Sequence, residues 1–332
     1  MGPVMNDVDT SVLPGAAQPS LDPRLDSHKF RDPAVTAMGE KRATVGFETL
    51  RTLWFNTGTL CNLTCRNCYI ESSPTNDRLV YLTAAEVHGF LDEIARDSPG
   101  TREIGFTGGE PFLNPDVLGM LDDSLSRGFR TLALTNAMKP MMRLREPLLA
   151  LREKYGALLV IRVSLDHYSQ AFHEIERGPR SFTPTLEGLR WLSKNSFATH
   201  VAGRTYWNEP EESLRQGYAR LFAQNEIAVD AFDPVALILF PEMNASADVP
   251  EITEHCWNIL GVNPQDMMCA SSRMVLRRRG AERPAVVACT LIAYDEQFEL
   301  GGSLAEAARA VSLNHPHCAR FCVLGGGACS RG

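Results

Sequence analysis

The sequence lacks three features, and each absence argues against one class of protein. No apolar run approaches the roughly 20 residues that a membrane-spanning helix needs. Acidic residues outnumber basic ones and give a formal net charge of −7, so the chain lacks the basic surface on which nucleic-acid binding depends. The first residues, to about Gly39, contain Asp, Pro and Ser without the apolar stretch of a signal peptide. We therefore expect a soluble cytoplasmic protein with neither a membrane nor a nucleic-acid partner.

Basic residues cluster at one place in the chain. Arg277, Arg278 and Arg279 are consecutive, with Arg273 and Arg283 nearby. We interpret this run as the solvent-exposed edge of a hairpin, and a site for an anionic substrate is the alternative.

Nine cysteines without a secretion signal favour a reducing compartment. In that setting, clustered thiols bind metal or do chemistry more often than they form disulfides. The cysteines fall into two groups. Three lie within eight residues, at positions 61, 65 and 68, and six lie after residue 250, at positions 256, 269, 289, 318, 322 and 329.

The chain is organised in three parts. Residues 1–45 show no sustained hydrophobic period, which predicts a flexible N-terminal arm. Over residues 46–248, strand-like and helix-like segments alternate; Thr83 with Glu86 predicts one capped helix start, and Asn114-Pro115 predicts another. Six strands are predicted, at residues 52–55, 103–107, 131–135, 158–164, 198–205 and 235–240. The alternation predicts an α/β fold with six βα units in a parallel sheet, open or curled into a barrel.

The pattern changes over residues 249–332, where glycines, cysteines and short apolar runs replace the long helical periods. Residues 275–288 are expected to form a β-hairpin and residues 303–311 a helix. A small unit without a substantial core usually needs disulfides or metal to hold it, and a cytosolic location favours metal.

The cysteine triplet follows the first predicted strand. Its soft thiolates suit Zn²⁺ or an iron–sulfur cluster, and both usually take four protein ligands in a structural site. The triplet lacks the fourth. Either a distant residue completes the site, or one metal position is left open for a small molecule.

Two motifs stand at the ends of successive predicted strands. Cys61, Cys65 and Cys68 have the spacing CxxxCxxC, and Gly108-Gly109-Glu110-Pro111 follows the next predicted strand. Together they resemble the radical SAM superfamily. The resemblance implies a partial (β/α)6 radical SAM barrel. It also implies that the three thiolates hold a [4Fe-4S] cluster, that S-adenosylmethionine (SAM) binds the fourth iron, and that reductive cleavage yields a 5′-deoxyadenosyl radical.

The resemblance also implies a SAM-binding role for residues at the ends of several strands. Gly108 to Pro111 would contact the methionine moiety, with Glu110 accepting from its ammonium group. Ser164 and Asp166 would contact the ribose hydroxyls or the methionine carboxylate, with a capping role for Asp166 as the alternative. Asn136 is either a cofactor contact or a turn residue, and Arg204 is a further candidate for the carboxylate. Many family members carry an aromatic residue just before the third cysteine, whereas this chain has Asn67 there and the aromatic residue is Tyr69.

The cysteine-rich C-terminal unit resembles, less closely, the SPASM or twitch extension of radical SAM enzymes. That resemblance implies a second, auxiliary [4Fe-4S] cluster, with a Zn²⁺ site as the alternative. We expect Cys289, Cys318, Cys322 and Cys329 as its ligands, with Cys269 the first replacement. We interpret Cys256 as a buried apolar residue and do not expect His315 or His317 to be ligands.

The expected function is therefore hydrogen abstraction from a peptide or natural-product precursor, with an electron donor such as flavodoxin or ferredoxin as partner. A small-molecule substrate, such as an arsenical or a sugar, is the alternative. A metal-stabilised binding or redox-sensing protein without radical chemistry is an alternative of another class.

Overall fold

The computed structural model describes residues 23–205, 207–241 and 244–326. Most of its strands belong to one sheet of nine, in the order β10-β9-β8-β2-β3-β4-β5-β6-β7, and β1 pairs with β11 in a separate ribbon. The strands are β1 Thr44–Val45, β2 Thr52–Asn56, β3 Glu103–Thr107, β4 Arg130–Thr135, β5 Leu159–Ser164, β6 Ala198–Arg204, β7 Leu237–Phe240, β8 Ser272–Leu276, β9 Ala285–Val287, β10 Glu299–Gly301 and β11 Val311–Ser312.

The six predicted strands are present as β2 to β7, and each runs parallel to the next. Every residue of β2 and β3 is buried, and so are the first five of β5, as expected of strands covered on both faces. Side chains from β3 to β7 line one common cavity. The sheet therefore curls into the predicted partial barrel, with the carboxyl ends of its strands around one mouth.

Helices follow most of the barrel strands. They are α1 Ala84–Asp97, α2 Val117–Ser126, α3 Lys139–Met142, α4 Arg145–Tyr155, α5 Gln170–Arg177, α6 Phe182–Lys194, α7 Glu211–Gln224, α8 Cys256–Leu260 and α9 Leu304–Ala307. Thr83 and Glu86 form the predicted capping box of α1. No helix in the described part of the chain is both long and apolar enough to cross a membrane.

The predicted helix start at Asn114-Pro115 is two residues too early. A short 3₁₀ turn, Pro111–Leu113, precedes Asn114, and α2 begins at Val117. The Asn114 side chain is used elsewhere, because its Nδ2 donates to the carbonyls of Thr57 and Leu82 at 3.1 and 2.9 Å. Asn114 therefore ties α2 to the segments on either side of the cysteine loop.

The C-terminal hairpin is part of the barrel sheet. The predicted hairpin forms as β8 and β9, which are antiparallel, and β8 also pairs in parallel with β2. Residues 303–311 form only the single-turn helix α9 before Val311 enters β11, so the predicted helix is shorter than expected. Arg277, Arg278 and Arg279 pair with Glu86, Glu299 and Asp77, each at 2.8–2.9 Å. The basic run is therefore a structural hairpin edge.

The described part of the predicted N-terminal arm is attached to the rest of the chain. Arg24 pairs with Ala247, Arg42 pairs with Thr253, and β1 pairs with β11. Buried Arg42 also forms an ion pair with Glu251. Residues 23–45 are thus held by backbone pairing that their irregular hydrophobic pattern did not reveal. The division at residues 45 and 248 stays a prediction.

Candidate active site

The cysteine loop leaves β2 and brings three thiols to the mouth of the barrel. Cys61 is buried, and Cys65 and Cys68 are half-buried. Each sulfur faces a nitrogen donor. Leu63 N lies 3.4 Å from Cys61 Sγ, Ser72 N lies 3.3 Å from Cys68 Sγ, and Arg177 Nη1 lies 3.9 Å from Cys65 Sγ.

These donors suit thiolates. Burial raises the pKa of Cys61 to about 12 and also raises the pKa of Cys65, so both are protonated thiols without a metal. A bound metal centre reverses this preference, because a coordinating thiol is deprotonated, and N–H groups aimed at sulfur stabilise the anion. The loop residues therefore fit a metal centre.

Helix α5 holds the loop from the other side. Arg66 N donates to the backbone carbonyl of Glu176 at 2.7 Å, and Asn67 Nδ2 donates to Glu176 Oε1 at 2.9 Å. Asn67, at the position where many family members have an aromatic residue, therefore binds the cysteine loop to α5. Tyr69 lines the cavity instead.

Gly108 and Gly109 lie against the segment that leads into the cysteine loop. A Cβ on Gly108 would lie 2.5 Å from Gly58 O, and one on Gly109 would lie 2.2 Å from Leu60 O. Gly108 also has a φ of +131°, which an L side chain rarely adopts. Both residues line the cavity. The two glycines therefore bring the two predicted motifs into contact, a requirement that the sequence did not reveal.

Glu110 is buried behind the glycines and links β3 to β4. Its carboxylate accepts from Phe112 N at 3.2 Å, Thr135 Oγ1 at 2.8 Å and Asn136 N at 2.9 Å. Burial outweighs these donors and raises the pKa of Glu110 to about 7. Pro111 is buried beside it as the first residue of the 3₁₀ turn. Asn136 lines the cavity and donates to Asn62 Oδ1 of the cysteine loop at 2.9 Å.

Asp166 lies between two arginines. Its carboxylate accepts from Arg177 Nε at 2.6 Å and from Arg204 Nε at 3.3 Å. Burial pushes the pKa of Asp166 upward, but Arg177 and Arg204 bring it down to about 2. Asp166, both arginines and Ser164 line the cavity. The alternative for Asp166 was a capping role at the end of the strand. A capping role does not account for its ion pairs with two buried arginines.

One cavity connects all these groups. The space between its walls measures about 1070 Å³, a volume that includes open solvent at the mouth. Of the predicted residues it is lined by Cys61, Cys65, Cys68, Gly108, Gly109, Asn136, Ser164 and Asp166. Residues that follow four different parallel strands therefore meet at one cavity.

Arg177 is the site residue that the sequence prediction missed. It joins the cysteine loop to β5, because it contacts both Cys65 and Asp166. The available indication was the charge of Asp166, since a carboxylate at the end of a buried strand needs a cation, and an arginine follows on the next helix.

A second, apolar cavity lies in the C-terminal part. It encloses about 400 Å³ and is lined by four cysteines, together with Met, Leu, Ile, Val and Phe side chains and His317. The four are Cys269, Cys289, Cys318 and Cys322. Burial raises the pKa of Cys318 well above its usual value, and the nearby Cys289 and Cys269 thiols raise it further.

The two remaining C-terminal cysteines are Cys256 and Cys329. Cys329, one of the expected ligands, lies outside the described residues. Cys256 does not line the cavity; its sulfur lies 3.4 Å from Thr253 N. Cys269, expected only as a replacement, lies with Cys289, Cys318 and Cys322.

Within residues 23–205, 207–241 and 244–326, no group of three or more His, Cys, Asp or Glu side chains is placed to hold a single metal ion.

The two cavities share a wall. Leu291 lines both of them, and Leu291 N lies 3.3 Å from Cys289 Sγ. On the π-helical segment Cys318–Leu324, Phe321 lines the first cavity while its neighbour Cys322 lines the second. One layer of side chains therefore separates the barrel mouth from the four-cysteine group.

Comparison with known proteins agrees with this geometry. Residues 55–216 match the family model of the Radical SAM superfamily. The chain is 28% identical to the antilisterial bacteriocin subtilosin biosynthesis protein AlbA of Bacillus subtilis (strain 168), over 56% of this chain and 41% of AlbA. It is 30% identical to the AdoMet-dependent heme synthase of Methanosarcina barkeri (strain Fusaro / DSM 804), over 42% of this chain and 38% of that protein.

The fold is also similar to solved structures. Streptococcus suis SuiB bound to the precursor peptide SuiA superposes with a TM-score of 0.56 and 13% identity, over 76% of this chain and 62% of SuiB. The matches span about two fifths of the curated relatives. The predicted radical SAM barrel is confirmed, and the alternative of a binding protein without catalysis is not supported. Residues 55–216 of this chain therefore form a domain of the radical SAM superfamily.

Proposed function

We propose that this enzyme cleaves SAM reductively at a [4Fe-4S] cluster held by Cys61, Cys65 and Cys68, and modifies a peptide by hydrogen abstraction. The cluster and SAM follow from the superfamily, and the three thiols with their nitrogen donors provide the ligands. When bound, these cofactors supply a 5′-deoxyadenosyl radical. The chain's own residues must hold the cofactors, orient the substrate and exclude water.

SAM would occupy the cavity beside the cysteine loop. Gly108, Gly109, Asn136 and Ser164 line it, and their small or polar surfaces suit a zwitterionic amino acid and a ribose. Glu110 and Pro111 shape the turn behind the glycines, and we assign the buried Glu110 carboxylate as the acceptor for the SAM ammonium group. We assign Asp166 a positioning role, since its carboxylate orients Arg177 and Arg204. Those two guanidinium groups are the natural partners for the SAM carboxylate.

A second [4Fe-4S] cluster is proposed at Cys269, Cys289, Cys318 and Cys322. Four cysteines around one apolar cavity provide a complete ligand set, so the cluster would have no open position for substrate. Its role would be to accept an electron from a product radical. The observation that carries this proposal is Leu291, which lines both cavities. An external donor such as flavodoxin or ferredoxin would reduce the first cluster.

A peptide is the preferred substrate for two reasons. AlbA is a bacteriocin biosynthesis protein and SuiB is seen with a precursor peptide, and the cavity opens to solvent, so a segment of a longer chain could enter it. A small molecule is the second candidate, because two of the relatives are AdoMet-dependent heme synthases and heme is a small molecule.

Iron content and SAM cleavage test the cofactor part. Anaerobically reconstituted protein should contain about eight irons per chain, and the Cys61→Ala, Cys65→Ala, Cys68→Ala triple variant should contain about four. After reduction with dithionite, the parent protein should convert SAM to 5′-deoxyadenosine and the triple variant should not. Equal yields from both, or a colourless zinc protein, would contradict the proposal.

Isotope transfer tests the substrate class. Cells that naturally contain the protein are grown in deuterated medium, and their extract is divided into a peptide fraction and a metabolite fraction. Each fraction is added to reduced enzyme with unlabelled SAM. Deuterium in 5′-deoxyadenosine from the peptide fraction supports the proposal. Deuterium from the metabolite fraction alone would support the small-molecule alternative.

A further inference from the structure

We propose that Arg273 is the countercharge of the second cluster and sets its reduction potential. This inference rests on the proposed cluster at Cys269, Cys289, Cys318 and Cys322. It assigns a tuning role to a residue that touches neither SAM nor substrate.

Arg273 is a buried cation whose bonds are all to neutral groups. It is only 1% exposed. Its guanidinium donates to the carbonyls of Cys269, Ser272, Ala307 and Arg309 at 2.6, 2.7, 2.9 and 2.9 Å. It also lies over the Phe47 ring, 4.3 Å from the centroid. These contacts engage all three of its nitrogens and leave its charge uncompensated.

No carboxylate in the described part of the chain forms an ion pair with Arg273, whereas buried Arg42 and Arg177 are each paired with an acid. A buried ion without a partner costs several kcal/mol even after relaxation. Arginine cannot avoid this cost by losing its proton; burial lowers the pKa of Arg273 only to about 10. A compensating negative charge is therefore expected nearby.

The four-cysteine group can supply that charge. The guanidinium is bonded to the backbone carbonyl of Cys269 at 2.6 Å, and the Cys269 side chain lines the four-cysteine cavity. Four thiolates more than cancel the positive charge of a [4Fe-4S] core, so the cluster is an anion. It becomes more negative on reduction.

The direction of the effect follows from Coulomb's law. A fixed positive charge in a low-dielectric interior favours the reduced, more negative cluster, and net charge around a cluster is among the factors that set its potential. Arg273 should therefore raise the reduction potential. That would make the cluster a better acceptor for an electron from the barrel mouth.

The test uses the Cys61→Ala, Cys65→Ala, Cys68→Ala background, in which only the second cluster remains. Redox titration followed by electron paramagnetic resonance gives its midpoint potential. Arg273→Gln should shift the potential downward, whereas Arg273→Lys, which keeps the charge but loses the planar fork, should stay close to the parent. A purely structural role would affect both variants alike.

Three further variants leave the carbonyl bonds of Arg273 in place. Phe47→Glu puts a carboxylate beside the guanidinium and should lower the potential, and Phe47→Leu is its uncharged control. Arg309→Gln removes an exposed arginine from the same surface, and solvent screening should leave the potential unchanged. If Arg273→Gln does not fold, the difference in midpoint potential between Phe47→Glu and Phe47→Leu tests the proposal.

The outcomes separate this inference from the cluster assignment. Four irons in the background protein, with equal potentials in Phe47→Glu, Phe47→Leu and any folded Arg273→Gln, would overturn the role of Arg273 and leave the cluster intact. Absence of iron from the background protein would overturn both.

Discussion

Buried charge is the largest energetic cost of the barrel mouth, and individual residues meet it in different ways. Asp166 is paired with Arg177 and Arg204, and the side chains of all three are at most 13% exposed. Glu110 has only neutral donors around it and is closer to being protonated at neutral pH. These differences lead to two predictions.

Asp166→Asn should lower the free energy of unfolding by about 3–5 kcal/mol, since it leaves two buried guanidinium groups without their counter-ion. Chemical denaturation of the iron-free protein measures the change. Asp97→Asn is the control, because the Arg96–Asp97 pair is about half exposed on both sides, and exposed pairs contribute at most about 1 kcal/mol. Similar losses in the two variants would show that Asp166 is not the anchor described here.

The stability of the iron-free protein should fall with rising pH because of Glu110. The folded pKa of about 7 lies above the value near 4.3 of an unfolded Glu. Glu110 therefore binds its proton more tightly in the folded protein than in the unfolded chain. This difference stabilises the folded state fully below about pH 4, and the stabilisation is lost as the pH rises through about 7. Linkage gives a loss on the order of 2 kcal/mol between pH 5 and 7.5.

Glu110→Gln removes this titration while keeping the side-chain size. Urea denaturation at pH 5 and 7.5 should give a smaller difference in unfolding free energy for the variant than for the parent. Identical pH dependence in the two proteins would mean that Glu110 is already ionised in the folded form at pH 5.

Among the helices, strands and turns, the features that depend on neighbouring residues were predicted from short sequence patterns. The capping box of α1 and the motif after β3 depend on neighbouring residues, and both were predictable from their spacing. The use of α5 as a support for the cysteine loop was not predictable. That support joins residues about 110 positions apart, and the residues around Glu176 give no indication of which distant residue it binds.

Glu176→Ala should make the first cluster easier to lose, because the side chain that holds Asn67 is removed. A lost hydrogen bond to a charged group is worth about 1.5 kcal/mol or more, so iron release should accelerate roughly tenfold. The measurement is anaerobic iron transfer to a chelator, in a Cys269→Ala, Cys289→Ala, Cys318→Ala, Cys322→Ala background that reports only the first cluster. Gln170→Ala, exposed on the same helix, should release iron at the parent rate.

For the whole molecule, the sequence predicted the six parallel strands but not how the last third of the chain joins them. A hairpin such as β8–β9 has the same alternation whether it stands alone or extends a sheet, and only the packing against β2 decides. The same holds for Cys269, which was expected only as a replacement ligand and which the fold places beside Cys289, Cys318 and Cys322. The prediction for Cys329 stays a prediction, because that residue lies outside the described part of the chain.

This continuity predicts that the barrel does not fold alone. A chain ending at residue 248 would lose β8 and leave the backbone of β2, a fully buried central strand, as an unpaired edge. Open edges of that kind promote aggregation. The full-length variant with Cys269, Cys289, Cys318 and Cys322 changed to Ala keeps the strand and loses only the second ligand set. It should unfold in a single cooperative transition, while the truncated chain should aggregate or show none. A soluble, cooperatively folding truncated chain would establish the predicted boundary at residue 248 as that of an independent domain.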